Sequence, residues 1–245
     1  MKLTILGAFG PYPPAGGACS GYLLENEGDR ILVDCGNGVL SRLQKHLAPW
    51  ELDAIVISHL HSDHISDLFI LRYALLMAQK RGDTDGALDL YLPAEPEEEV
   101  SRIPYKDVYK LNFIGSRDSI PIGSFSLTFL STAHSIPCLA MKIQAGNKIL
   151  VYSSDTEYLD ELAPFAHNSD LFLCEANFLE ENLPPSRANH LSALQAGKIA
   201  REAGVKELLL THLSPHHPPE RSRLEASREY PSARLAVEGH RYIIS

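Results

Sequence analysis

Six short apolar runs in this chain each end on a residue capable of metal or acid–base chemistry. Ile31–Val33 runs into Asp34, Ala54–Ser58 into His59, and Leu127–Ala133 into His134. Ile149–Ser154 leads to Asp155, Leu171–Cys174 to Glu175, and Leu208–Thr211 to His212. Runs of this length, rich in Val, Ile and Leu, read as buried strands. In layered α/β folds the loops at strand ends gather along one edge of the sheets, and sites are built there. A capping Asp or a turn His accounts for any one of these residues alone. The set of six predicts one edge at which residues far apart in sequence converge.

The pattern between the runs completes the architecture. Leu3–Phe9, Tyr22–Glu25 and Arg30–Val33 read as strands, the last two joined by the turn Asn26–Asp29. Further strands are expected at Ala54–Ser58, Leu88–Leu92, Ser119–Ile122, Phe125–Ser131, Leu139–Gln144, Lys148–Tyr152, Leu171–Cys174 and Glu207–Leu210, and near Leu235 and Tyr242. Helical spacing marks Gly38–His46, Ile65–Gln79, Glu95–Arg102, Asp160–Ala166, Leu191–Ala203 and Pro219–Glu229. No Pro/Gly/Ser linker divides the chain and no repeat suggests a solenoid. The expectation is one α/β domain over residues 1–245, a four-layer αββα sandwich with two sheets face to face and helices outside.

His59-Leu60-His61-Ser62-Asp63-His64 packs three histidines and a carboxylate into six residues of a chain with only 11 histidines. Imidazole and carboxylate ligands suit zinc and similar divalent metals. With the other strand-end residues, His59, His61 and His134 make one predicted ligand set. Asp63, His64 and His212 make a second, and Asp155 bridges the two. Paired cations in such centres stand roughly 3.5–4 Å apart, share a hydroxide, and lower the pKa of water to about 7. Two divalent cations are therefore expected, zinc ahead of manganese or iron. Asp34 is expected behind the ligands, orienting one of them or the His-rich loop.

The formal net charge of −9 disfavours a nucleic-acid coat or membrane-surface protein, although bound cations invert the local field for a small phosphate ester. No run approaches the ~18 apolar residues of a membrane span, and the first residues lack the pattern of a secretory signal. A cytoplasmic location without membrane association is expected. Cys19, Cys35, Cys138 and Cys174 form no C-x-x-C pair and read as free thiols.

Together, H-x-H-x-D-H at 59–64, Asp34 in ILVDCGNG, His134, Asp155 in YSSDT and His212 in THLS resemble the metallo-β-lactamase-fold hydrolases. The fold implied is the same αββα sandwich. Cys174–Asn177, Asn189–Ala193 and Arg201–Ser214 resemble segments of the ribonuclease Z group. That resemblance implies that Glu175 orients His190, that His190 contacts a scissile phosphate, and that Asp63 joins them as a catalytic residue. It also makes a homodimer an expectation. Two departures stand out. His134 and Asp155 are too close in sequence for a tRNA-clamping arm, and Asp67 stands where the group often has glycine.

The function expected is a dinuclear metal-dependent phosphodiesterase for a small-molecule or short nucleic-acid substrate, such as a cyclic nucleotide or single-stranded RNA. Alternatives are tRNA 3′-end processing, hydrolysis of a lactone, thioester or β-lactam, and a non-catalytic metal-stabilised binding domain. His216 and His217 in SPHHPP read as a Pro-rich rim loop, and the Gly/Pro-rich residues 10–18 as a candidate lining of the site mouth.

Overall fold

The structure, a computed structural model, describes residues 1–186 and 188–245. Among the described residues, fourteen strands form two sheets of seven. The first half of the chain contributes β1 (Lys2–Gly7), β2 (Gly21–Asn26), β3 (Asp29–Val33), β4 (Ala54–Val56), β5 (Leu88–Leu92) and β6 (Tyr109–Phe113). The second half contributes β7 (Ser119–Ile122), β8 (Phe125–Ser131), β9 (Leu139–Ala145), β10 (Lys148–Tyr152), β11 (Leu171–Glu175), β12 (Leu208–Thr211) and β13 (Arg234–Leu235), and β14 (Arg241–Ile243) crosses back. The sheet orders are β14-β1-β2-β3-β4-β5-β6 and β13-β12-β11-β10-β9-β8-β7. The helices are α1 (Val39–Leu43), α2 (Ser62–Ile65), α3 (Leu68–Arg81), α4 (Glu97–Arg102), α5 (Leu162–Ala166), α6 (Ala193–Ala203) and α7 (Pro219–Ala226).

Strand alternation builds the four layers. Ile31 and Val33 of β3 join Leu171 and Leu173 of β11 in a core between the sheets. Leu32 instead packs with Val39, Leu43, Leu71 and Leu75 of α1 and α3. Phe172 and Cys174 pack with Leu162, Ala196 and Ile199 of α5 and α6. Because both faces of these strands are covered, their sequences are continuously apolar. Each fully buried aliphatic side chain contributes about 1.5–3 kcal/mol. Among the described residues no helix is long and apolar enough to cross a membrane.

Two details depart from expectation. The helix expected over Ile65–Gln79 starts instead at Leu68 as α3, with Asp67 as its N-cap and α2 a separate turn before it. The Asp67 N–H donates to Cys35 O at 3.0 Å, and its carboxylate accepts from Leu40 N–H at 2.8 Å, so this residue docks the start of α1 instead of continuing a helix. Strand β6 was not expected, because at the sheet edge only part of its side-chain surface is buried and no apolar run marks it. Its pairing with β5, Leu88↔Tyr109 through Leu92↔Phe113, is what defines it.

Candidate metal centre

Strand ends deliver the cluster. Asp34 leaves β3, His59 follows β4, and His61, Asp63 and His64 cap and open α2. His134 follows β8, Asp155 follows β10, Glu175 ends β11, and His212 follows β12. The chain turns sharply at these exits: φ is 56° at Asp34, 52° at Ser154 and 49° at His212. Left-handed backbone costs a non-glycine residue of order 1–3 kcal/mol and persists only where surrounding packing over-determines it. The buried layers beneath supply that packing.

His59, His61, His134 and Asp155 offer ligand atoms that all lie within 4.8 Å of one another. Asp63, His64 and His212 form a second such group, and Asp155, His190 and His212 a third. Asp155 is central. Its Oδ2 lies 3.5 Å from His59 Nε2, 3.4 Å from His64 Nε2 and His212 Nε2, and 3.8 Å from His134 Nε2. The seven residues read as ligand candidates are thus brought close together, with Asp155 grouped once with His59, His61 and His134 and once with His190 and His212.

The hydrogen bonds behind the rings define which nitrogen faces inward. Asp34 Oδ2 accepts from Ser58 Oγ (2.9 Å), His64 Nδ1 (2.8 Å) and Tyr152 OH (3.0 Å), while Oδ1 accepts from Ser58 N–H (2.8 Å). Since Ser58 Oγ donates to Asp34, it must accept from His59 Nδ1, 3.0 Å away. His134 Nδ1 donates to Asn189 O at 2.9 Å. In their neutral forms His59, His64 and His134 therefore turn bare Nε2 lone pairs into the cluster.

That arrangement fits cations. His61 Nδ1 lies 3.1 Å from His59 Nε2 and 3.0 Å from His134 Nε2, and its one possible proton can serve only one of them. Lone pairs in such contact repel, whereas nitrogens bound to one zinc at 2.0–2.1 Å in a tetrahedron stand about 3.3 Å apart. Among the described residues, the buried atoms His64 Nε2 and Asp155 Oδ1 have no hydrogen-bond partner. Orphaned buried polar atoms of this kind are rare in folded proteins and call for an ion or other partner.

Burial pushes His59 and His134 down, and His61 likewise, which keeps these imidazoles neutral and ready to ligate. His64 goes the other way: burial opposes its charge, but Asp155, Asp34 and Asp63 outweigh it and hold the ring well above the ordinary range. Asp155 is held well below the usual carboxylate range, because His212, His64 and His59 outweigh the effect of burial. A cation bound at His64 would therefore have to displace a proton.

Beside this cluster His190 Nδ1 lies 3.0 Å from Glu175 Oε1 and 3.9 Å from Asp155 Oδ2. Burial acts to lower His190, but Glu175 outweighs it and, with Asp155 and Asp63, raises the ring to about 9. Glu175 is fully buried and itself fixed: Oε1 also accepts from Thr156 N–H (2.9 Å) and Oε2 from Asn177 N–H (3.3 Å).

Sequence reading missed three supporting residues, Ser58, Tyr152 and Asn177, and placed Gly10 only within a loop expected to line the site mouth. Ser58 and Tyr152 complete the shell around Asp34. Asn177 Nδ2 donates to Gly10 O (2.8 Å) and His212 O (3.0 Å), tying two loops together. Gly10 lies so close to the cluster that a Cβ there would fall 1.9 Å from His212 Nε2. Ser58 and Tyr152 sit at strand exits and were visible in principle. The four cysteines are free and buried, and burial raises Cys19 and Cys138 to about 12.

The family described as "Beta-lactamase superfamily domain" matches residues 29–213. The chain is 39% identical over 216 residues to the probable metallo-hydrolase YhfI of Bacillus subtilis, covering 88% of each protein. The crystal structure of the metallo-beta-lactamase fold protein YhfI from Bacillus subtilis superposes with a TM-score of 0.94 at 36% identity, over 98% of both chains. A ribonuclease Z of Methanopyrus kandleri is 24% identical over 98% of this chain and 96% of its own.

Proposed function

The chain belongs to the beta-lactamase superfamily, and from that premise we propose that it is a metal-dependent phosphodiesterase for a small or short single-stranded substrate. The carrying observation is the Glu175–His190 pair set against the ligand cluster, with His190 Nδ1 3.0 Å from Glu175 and 3.9 Å from Asp155. On this reading His59, His61 and His134 hold one divalent cation, Asp63, His64 and His212 a second, and Asp155 serves both. Zinc stands ahead of manganese or iron for so nitrogen-rich a set. Cations held there supply Lewis acidity and lower the pKa of water towards neutrality.

The rest of the chemistry belongs to side chains. Phosphoryl transfer spreads negative charge over the oxygens of phosphorus in the transition state. Without bound cations, Glu175 outweighs burial and raises His190 to about 9, which favours the imidazolium. Its Nδ1–H is engaged by Glu175, which leaves Nε2–H to donate to a phosphate oxygen. Because Glu175 is held by two backbone N–H groups, this donor is oriented before substrate arrives. The same proton can pass to the departing alkoxide. A carbonyl hydrolase develops one oxyanion and has less need of an added cation.

Substrate size follows from the chain between His134 and Asp155. The β9–β10 hairpin, Ala145↔Lys148 through Met141↔Tyr152, takes up that interval and leaves no arm for tRNA. The test uses zinc-loaded protein with bis(p-nitrophenyl) phosphate and cyclic nucleotides. Turnover is expected, falling about 10²–10³-fold in His190→Ala with metal content unchanged. Metal-loaded protein inert towards these diesters and RNA, or a His190→Ala variant as active as wild type on them, overturns the reading.

A further inference from the structure

Two segments leave the candidate metal centre side by side. Phe9 pairs with Leu213 in a parallel bridge, and Gly10 N–H donates to Leu213 O at 3.2 Å. Further out the segments touch again: Tyr12 OH lies 3.4 Å from His216 Nε2, and the two rings stand edge to face with centroids 5.8 Å apart. Tyr12 is two residues beyond Gly10, whose backbone lies against His212 Nε2. Two residues of extended chain span at most about 7 Å. The Tyr12 backbone therefore lies within about 7 Å of Gly10, which borders the cluster.

The pair does little for the fold. Tyr12 is 48% exposed and belongs to none of the apolar cores, and His216 is exposed. Yet both are held stiffly. Pro11 and Pro13 flank Tyr12, and Pro215 and Pro218 flank His216-His217. Proline locks φ and removes backbone freedom. The prolines restrain the backbone that carries the rings, which lowers the ordering cost of binding.

We propose that Tyr12 and His216 form a recognition platform for a flat ring system on the substrate, the base of a nucleotide diester. This rests on the phosphodiesterase reading and deepens it. The base stacks on the Tyr12 ring, and the His216 imidazole hydrogen-bonds its edge. Both residues determine specificity and stand apart from the reacting atoms. Stacking on an aromatic side chain is tolerant of base identity, so the platform selects for the presence of a base more than for its kind.

The test measures binding of adenosine 5′-monophosphate and ribose 5-phosphate to the zinc-loaded full chain by calorimetry. The two ligands share a phosphate and differ by the base. Wild type is expected to prefer the nucleotide. Tyr12→Ala lowers that preference, the ratio of the two Kd values, roughly tenfold. Tyr12→Phe keeps it within about twofold, since the ring remains. Equal affinity for both ligands in wild type overturns the proposal. So does an unmoved ratio in Tyr12→Ala, or an equal loss for both ligands, which marks a merely structural role. A protein that cleaves phosphodiesters with an unmoved ratio refutes the platform alone. One that keeps the base preference but cleaves no diester refutes the phosphodiesterase reading alone.

Discussion

Asp34→Asn is the sharpest test of how the cluster is held. The substitution changes one oxygen to NH₂ with almost no change in shape. Asp34 is fully buried and accepts four hydrogen bonds, three of them at Oδ2, from Ser58 Oγ, His64 Nδ1 and Tyr152 OH. An amide placed there sets two donors against those groups. The hydroxyls can rotate and accept, but His64 Nδ1 can accept only by moving its proton to Nε2. Nε2 is the atom that faces Asp155 and Asp63, at 3.4 and 3.7 Å. The flipped amide is no better, because its NH₂ then meets the Ser58 backbone N–H, which cannot accept. Losing a charged acceptor and leaving one buried donor unpaired costs about 3–5 kcal/mol. At 2–4 °C per kcal/mol for a chain of this size, the melting temperature falls by about 10 °C. Metal affinity falls about 10–100-fold, as for other groups that orient a ligand, and the loss concentrates on the cation that His64 would hold. Thermal melts and chelator competition measure both effects. A variant that binds metal with wild-type stoichiometry and affinity refutes the reasoning, whatever its melting temperature.

Other perturbations follow from the same contacts. Gly10→Ala places a Cβ 1.9 Å from His212 Nε2, so metal analysis should show loss of metal from the His212 set in a protein that still folds. In chelator-treated protein, His190 is raised to about 9, chiefly by Glu175 acting against burial. Its stabilising contribution is therefore fully present below the unfolded value of about 6.5 and is lost as pH rises through about 9, an upper bound of about 3 kcal/mol. Urea titrations across that window should show the decline in wild type and a flatter profile in His190→Gln. Asp67→Ala removes the acceptor for Leu40 N–H at 2.8 Å and should cost about 1 kcal/mol by urea denaturation, with metal content unchanged. With all four thiols buried, a native-state titration with a thiol reagent should register almost no reaction until the protein unfolds.

Much of this molecule was legible along the chain because its signals are local. Strand alternation and continuous apolar runs announced two covered sheets, and the turn at Asn26–Asp29 appears as the β2–β3 hairpin. The spacing at 59–64 marked a candidate ligand loop, and the other ligand candidates stood out by their place after strands. Strand β6 escaped because an edge strand with one wet face has no apolar run. The break at Asp67 escaped because its cause is a contact with Cys35 and Leu40, far away in sequence. Tyr152 looked like one more strand residue until its hydroxyl was seen 3.0 Å from Asp34.

The sequence by itself determined the inventory: which side chains can bind a metal or carry a proton, and that strand ends present them. It could do so because periodicity and residue chemistry are properties of neighbouring residues. Only the tertiary structure decided which nitrogen of each ring faces inward, that Asp155 stands among four imidazoles, and that Gly10 leaves the space His212 occupies. These depend on hydrogen bonds and close approaches between segments brought together by sheet pairing, such as Ser58 to Asp34 and Asn177 to Gly10. No local pattern encodes a contact whose partner lies well outside the window of neighbouring residues.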